Sequence, residues 1–314
     1  MRVSVGFAIG ATATLVACST PAEQREHDVW VTAPAVPAAL QEIHAVVLRD
    51  RIFVAGGFDS RSAITRVVFR FDPDAERWTR IADLPAPRHH MPLVVSRDSL
   101  YAVGGLADGF TPASTMWLYD EVTDRWIARP PLPEPRGASI AAAVDGRIVV
   151  AGGYGTDRVL LDSIAIYDQA TGTWTRGAPI PTARDHLAAA ALDGLVYVVG
   201  GRPLSANANF DVLEIYHPAS DSWTAGSPMP SRRGGLAAVA LDGRLYTYGG
   251  ETNTAVFDSH ERYDPATDRW TSLARMPTAR HGLGAAALNG RVFVIAGGPA
   301  AGFAQTAVVE VYIP

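Results

Sequence analysis

Glycine pairs begin at Gly56, Gly104, Gly152, Gly200, Gly249 and Gly297, spaced by 48, 48, 48, 49 and 48 residues. Tryptophans at Trp30, Trp78, Trp126, Trp174, Trp223 and Trp270 keep nearly the same period. Self-similarity at this spacing governs the fold before any local pattern does. Within one copy the strands are legible. "GGLAAVA" is a small apolar strand, "LDG" a tight hairpin, "RLYTYGG" a second strand ending in glycines, "HERYDP" a third, and the Trp-bearing "RWTSLA" a fourth. The first strand is rich in Ala and Gly, which suits a crowded axis. The Gly pair permits positive φ and close approach of a neighbour. The Trp is expected to fill the gap between units. A four-stranded unit that is apolar on both faces must bury them against neighbours, and a ring of such units buries all of them.

Six Gly pairs give six blades. The sixth copy has "RHGLGAAAL", "RVFVIAGG" and "AVVEVYIP" but no Trp-bearing fourth strand, while "VWVTAP" at residues 29–34 is a fourth strand with no front half. The N-terminal strand is therefore expected to complete the C-terminal blade. The sixth copy also carries one more residue between "LNG" and "GG" than the fifth, which suggests a bulge.

The Gly-Gly, Tyr-Asp-Pro and Trp pattern resembles the Kelch repeat over residues 29–314. It lacks the signature of WD propellers and the Asp box of sialidases. The resemblance implies an all-β, six-bladed propeller of four-stranded antiparallel blades. It also implies a ligand-binding mouth formed by the loops between strands 4 and 1 and between strands 2 and 3.

Composition excludes several functions. The net charge is −5, so nucleic acid is not an expected partner. All 27 basic residues are Arg, which rules out Schiff-base lysine chemistry. Cys18 is the single cysteine, so no intramolecular disulfide is possible. A Tyr–Cys copper-radical cofactor like that of galactose oxidase is excluded with it, and no cofactor or metal is expected. The run from Val3 to Ala17 is too short for a membrane span and fits a signal-peptide core. It ends in "LVAC", which resembles a bacterial lipobox. Residues 1–17 thus read as a cleaved leader, Cys18 as the lipidated residue, and 18–28 as a polar tether. A monomer anchored in the bacterial cell envelope is expected.

Ten residues after each Trp stand Leu40, Arg88, Arg136, Arg184, Arg233 and Arg280. Kelch proteins often use Arg here to hold carboxylates, so the resemblance implies an Arg-lined axial mouth. Guanidiniums would favour planar anions there through paired hydrogen bonds. Beside them stand Glu42, His89, His90, Asp185, His186 and His281, which the repeat does not demand. Three His around one pore could bind metal, but their different blades and offsets suggest distances too long for it. Asp59, Arg61, Arg158, Arg202 and Glu251 are the charged members of the short strand 2–3 loops. The expected ligand contacts are Arg88, His90, Arg136, Arg184, His186, Arg233, Glu251, Arg280 and His281.

These features fit a binding module for a protein segment or an acidic glycan. A carbohydrate isomerase similar to the Kelch-type sialic acid mutarotase is the alternative. It would need an acid–base pair beside an Arg, with Glu42, Asp185, His186 and Glu251 as candidates. The short loops weigh against an enzyme. Adaptor work in ubiquitin ligases would need partner domains that this sequence does not contain.

Overall fold

A computed structural model describes Met1 and residues 28–314; the leader, Cys18 and most of the tether lie outside the described residues. Six four-stranded antiparallel sheets form the body. Blade one runs through His44–Leu48, Arg51–Ala55, Val68–Asp72 and Arg77–Arg80, from axis to rim. Blades two to five begin at the axis with Leu93–Ser96, Ile140–Val144, Ala188–Leu192 and Ala237–Leu241. Blade six takes Gly284–Leu288, Arg291–Ile295 and Val309–Ile313 from one end of the chain and Val29–Ala33 from the other.

Closure uses the same contacts that join every other pair of blades. Val29–Ala33 runs antiparallel to Val309–Ile313, with Trp30 opposite Tyr312 and Ala33 opposite Val309. The Tyr312 hydroxyl donates to Asp28, as Tyr119 does to Asp124, Tyr216 to Asp221 and Tyr263 to Asp268. Each repeat Trp also donates its indole N–H to a carbonyl of the preceding blade. The pairs are Trp78 to Pro34, Trp126 to Ala82, Trp174 to Pro130, Trp223 to Ala178 and Trp270 to Ser227. Trp30 to Ala274, at 3.1 Å, completes the circle. Trp78 is buried and the other five are half-buried, so each indole N–H turned toward protein needs such a partner, and the Trp both fills the gap and sets the spacing of the blades.

The core lies between blades. One cluster packs Leu40, Ile52, Val54, Phe69 and Trp78 of blade one against Ala286, Phe293 and Val311 of blade six. Small residues of the innermost strands, Ala189, Ala238, Ala285 and Ala287 among them, line an axial channel of about 280 Å³.

The extra residue in blade six is not a bulge. Ala296 and Gly297 occupy the left-handed pair formed elsewhere by two glycines, with φ of 53° and 96°. The Ala296 N–H bonds Val308 O just as Gly56 N–H bonds Val67 O. Gly298 then pairs with His281 as Phe58 pairs with Gln41. The glycine pair visible in the sequence is thus one residue out of register with the structural pair. Blade one shows why glycine is usual at the first position. A Cβ on Gly56 would lie 2.3 Å from Arg88 O.

Candidate functional site

The innermost strand of each blade is entered through a residue in the left-handed region. Glu42, His90, Ala138, His186, Gly235 and Gly282 hold this place, with φ between 48° and 67°. Their backbones form a girdle around the axis. The N–H of His90 reaches Glu42 O, His186 reaches Ala138 O, Gly235 reaches His186 O, Gly282 reaches Gly235 O, and Glu42 reaches Gly282 O, at 2.7–3.1 Å. A non-glycine residue in this conformation costs roughly 1–2 kcal/mol. Two blades answer with glycine, whereas Glu42, His90 and His186 bear the strain and turn polar side chains toward the axis. Strain of this kind is characteristic of functional sites.

Above the girdle lies a cavity of about 290 Å³. Its polar lining includes Gln41, Glu42, His90, Asp185, His186, Arg202, Glu251 and His281, and its apolar lining includes Phe58, Phe110, Tyr154 and Phe303. The polar groups form one chain of contacts. His89 Nδ1 and His90 Nδ1 share a hydrogen bond of 2.5 Å. His90 Nε2 lies 3.0 Å from Glu42 Oε2. His281 Nδ1 faces Glu42 Oε1 at 3.4 Å and Glu251 Oε2 at 3.2 Å. Arg202 Nη1 donates to Glu251 Oε1 at 2.9 Å, and Arg202 Nη2 meets His186 Nε2 at 2.7 Å. Asp185 pairs with His186 Nδ1 at 3.3 Å. Asn209 Nδ2 fixes the Glu251 backbone carbonyl at 2.6 Å.

Burial makes this network strongly coupled electrostatically. Desolvation alone would raise the Glu42 carboxyl, but His90 and His281 outweigh it and hold it well below the usual carboxylate range. Desolvation likewise opposes ionisation of Asp185, where His186 and Arg202 prevail and lower it. Burial and the Arg202 charge push His186 down. Burial, aided by His90, lowers His89 to about 3. His281 moves the other way: burial would lower it, and Glu42 with Glu251 raise it. The floor of the mouth is thus a fixed array of charge with few free partners.

The mouth is not a ring of the five repeat arginines, and this corrects the sequence expectation for Arg88, Arg136, Arg184, Arg233 and Arg280. All five are buried, and the last four have no exposure at all. Arg184, Arg233 and Arg280 pair with Glu214, Glu261 and Glu310 on the third strand of their own blade. Each also donates to the carbonyl of the first left-handed residue after strand 2, namely Gly200, Gly249 or Ala296. In blade three the Glu position is Ala165, and Arg136 turns instead to Glu134 and Ser163. In blade two it is Trp117, and Arg88 lies over its ring at 5.2 Å. In blade one both partners are apolar, Leu40 and Phe69, in one cluster. These arginines brace each blade and cannot reach a ligand at the mouth.

Glu42, His90, Asp185, His186, Glu251 and His281 do converge, across five blades. Donor atoms of Glu42, His90 and His186 lie within 4.8 Å of one another, as do those of Glu42, Glu251 and His281. The three histidines do not form one such group; His90 with His186, and His281 with Glu251, each close on Glu42. The girdle brings Glu42, His90, Asp185, His186 and His281 together because each sits one or two residues after the Arg position or its Leu40 equivalent, and Glu251 joins them from the strand 2–3 loop of blade five. Asp59 and Arg61 do not join the cluster, and Arg158 reaches the rim, stacked on Tyr154 at 5.6 Å. Sequence reasoning missed Glu214, Glu261 and Glu310, although each stands two residues before the repeat Tyr or its equivalent. It also missed the aromatic rim.

Two overlapping segments, residues 43–229 and 127–298, match the KLHDC2/KLHL20/DRC7 Kelch-repeats domain. No curated protein matches the chain. The blade count, the closure and the matched span agree, and the chain belongs to the Kelch-repeat propeller family.

Proposed function

We propose that this propeller captures a protein segment in its mouth, and that Cys18 holds it in a bacterial cell envelope. Kelch propeller domains generally mediate protein interactions. The observation that carries the reading is an aromatic rim over a rigid polar floor. Phe58 contacts Phe303 edge-on at 5.0 Å and Phe110 at 6.2 Å. Phe110 is 41% exposed, Phe303 58% and nearby Val159 59%. Exposed apolar side chains gathered around a concave polar site mark an interaction surface. A cavity of about 290 Å³ admits one or two side chains of an extended segment.

The acidic-glycan and mutarotase readings lose support once the five arginines are buried. The arginines that line the cavity are Arg158, stacked on Tyr154, and Arg202, already committed to Glu251 and His186.

Peptides selected from a displayed random library on the purified chain should bind one to one in calorimetric titration. Phe303→Ala or Phe110→Ala should weaken them by about tenfold or more, as truncation of a central aromatic anchor does. Selected peptides that bind both variants undiminished would refute the mouth as the site. The anchor is tested separately. Cys18→Ser should move the chain from the membrane fraction to the soluble fraction, and unchanged membrane association would overturn that part.

A further inference from the structure

Three side chains at the floor of the mouth meet in a way that neither propeller architecture nor peptide capture requires. Glu42 Oε1 and Glu251 Oε2 both face His281 Nδ1, at 3.4 and 3.2 Å. His281 is 1% exposed. Its Nε2 meets Ala300 O at 3.1 Å, and a carbonyl can only accept, so Nε2 carries a hydrogen. That leaves Nδ1 directed at two carboxylate oxygens.

Such a trio needs a positive charge at its centre, either a proton on Nδ1 or a metal ion. A proton meets that need in the ion-free protein, and an ion can take its place. Nδ1 makes no hydrogen bond of acceptable geometry to either oxygen, although both are near, so it points between them. An ion bonded to nitrogen and oxygen at about 2.0–2.2 Å sets neighbouring donors roughly 3–3.5 Å apart. The two separations found here fall in that range.

The outer contacts are those that hold metal ligands in place. His90 Nε2 occupies Glu42 Oε2 at 3.0 Å, and Arg202 Nη1 occupies Glu251 Oε1 at 2.9 Å. Each carboxylate thus has one oxygen tied back and one turned to the centre, while Ala300 O orients the imidazole. Two glycines clear the space. A Cβ on Gly282 would lie 2.5 Å from the Glu42 carboxyl carbon, and one on Gly298 would lie 2.5 Å from His281 Nε2. The same three residues line the mouth cavity, so the remaining coordination positions open toward it.

We propose that Glu42, Glu251 and His281 bind a divalent first-row transition-metal ion at the floor of the mouth. One imidazole and two carboxylates suit Zn²⁺, Co²⁺, Mn²⁺ or Fe²⁺. This site stands independently of the peptide-binding reading, since it needs no partner.

The test uses the untagged chain, stripped with a chelator and titrated with Co²⁺ and with Zn²⁺. One equivalent should bind, change the visible absorption of Co²⁺ and raise the melting temperature by mass action. Glu251→Gln and His281→Ala should each weaken binding by more than the about 10- to 100-fold that loss of a supporting contact costs. His186→Ala should change it by less than tenfold. Circular dichroism of each stripped variant checks that it is folded, and Glu251→Gln serves if His281→Ala is not. Absence of binding, or binding indifferent to both ligand variants, would overturn the proposal. So would binding lost in His186→Ala but kept in His281→Ala, which would move the ion to Glu42, His90 and His186.

Discussion

Arg233→Leu should destabilise the propeller by about 3–5 kcal/mol, because it leaves Glu261 charged and buried with no cation. In the folded protein Arg233 Nη2 meets Glu261 Oε2 at 2.7 Å, with side-chain exposures of 0% and 5%. The carbonyls of Gly249 and Ser259 would lose their donor as well. For a chain of this size the melting temperature should fall by roughly 10 °C. Blade one shows how the loss can be offset. At the same two positions it carries Leu40 and Phe69, both buried in one apolar cluster. Arg233→Leu combined with Glu261→Phe should therefore be more stable than the sum of the single changes predicts, with a coupling of about 1–3 kcal/mol. Additive losses in that cycle would mean the pair is not the brace it is taken to be. A single Arg233→Leu that melts like the wild type but weakens ligand binding would return the arginine to the mouth.

Trp30→Ala should cost about 2–3 kcal/mol, below the usual loss for a fully buried large aromatic, because Trp30 is half-buried. Trp30 packs on Tyr312 at 5.3 Å, His260 at 5.5 Å and Tyr248 at 6.1 Å, and its N–H bonds Ala274 O. Deleting residues 28–33 should cost more still. It removes that packing and the Asp28–Tyr312 bond, and it exposes the backbone edge of Val309–Ile313. An open edge of this kind also invites intermolecular pairing. The deletion should therefore melt well below Trp30→Ala and aggregate, as read by thermal unfolding and light scattering. A deletion variant that stays monomeric with an unchanged melting temperature would contradict closure by the N-terminal strand.

The ring was legible because its cause is periodic. A Trp that must bond the preceding blade recurs at the spacing of the blades, and Trp30 without a front half pointed straight to the closure. The glycine pair misled in one place. Ala296 adopts the left-handed conformation usually left to glycine, so the motif and the structure slip by one residue. The arginines misled more seriously. Their position near the axis follows from the repeat, but their direction depends on Glu214, Glu261 and Glu310, about 30 residues further on, and on burial that spacing does not reveal. The mouth cluster was half legible. Glu42, His89, His90, Asp185, His186 and His281 stood out as residues the repeat does not demand, and Glu251 as a charged member of a strand 2–3 loop. Their convergence needed the left-handed girdle, and the rim of Phe58, Phe110 and Phe303 comes from loops with no common pattern.

Hydrogen exchange on the chain with and without a selected peptide tests the account most directly. Binding in the mouth predicts slowed exchange over residues 106–112 and 298–306 and at the girdle residues Glu42, His90 and His186. The hairpins at Asp50, Asp145 and Asp242 should be unchanged. Protection confined to those hairpins or to the outer strands, with the mouth loops unaffected, would contradict it.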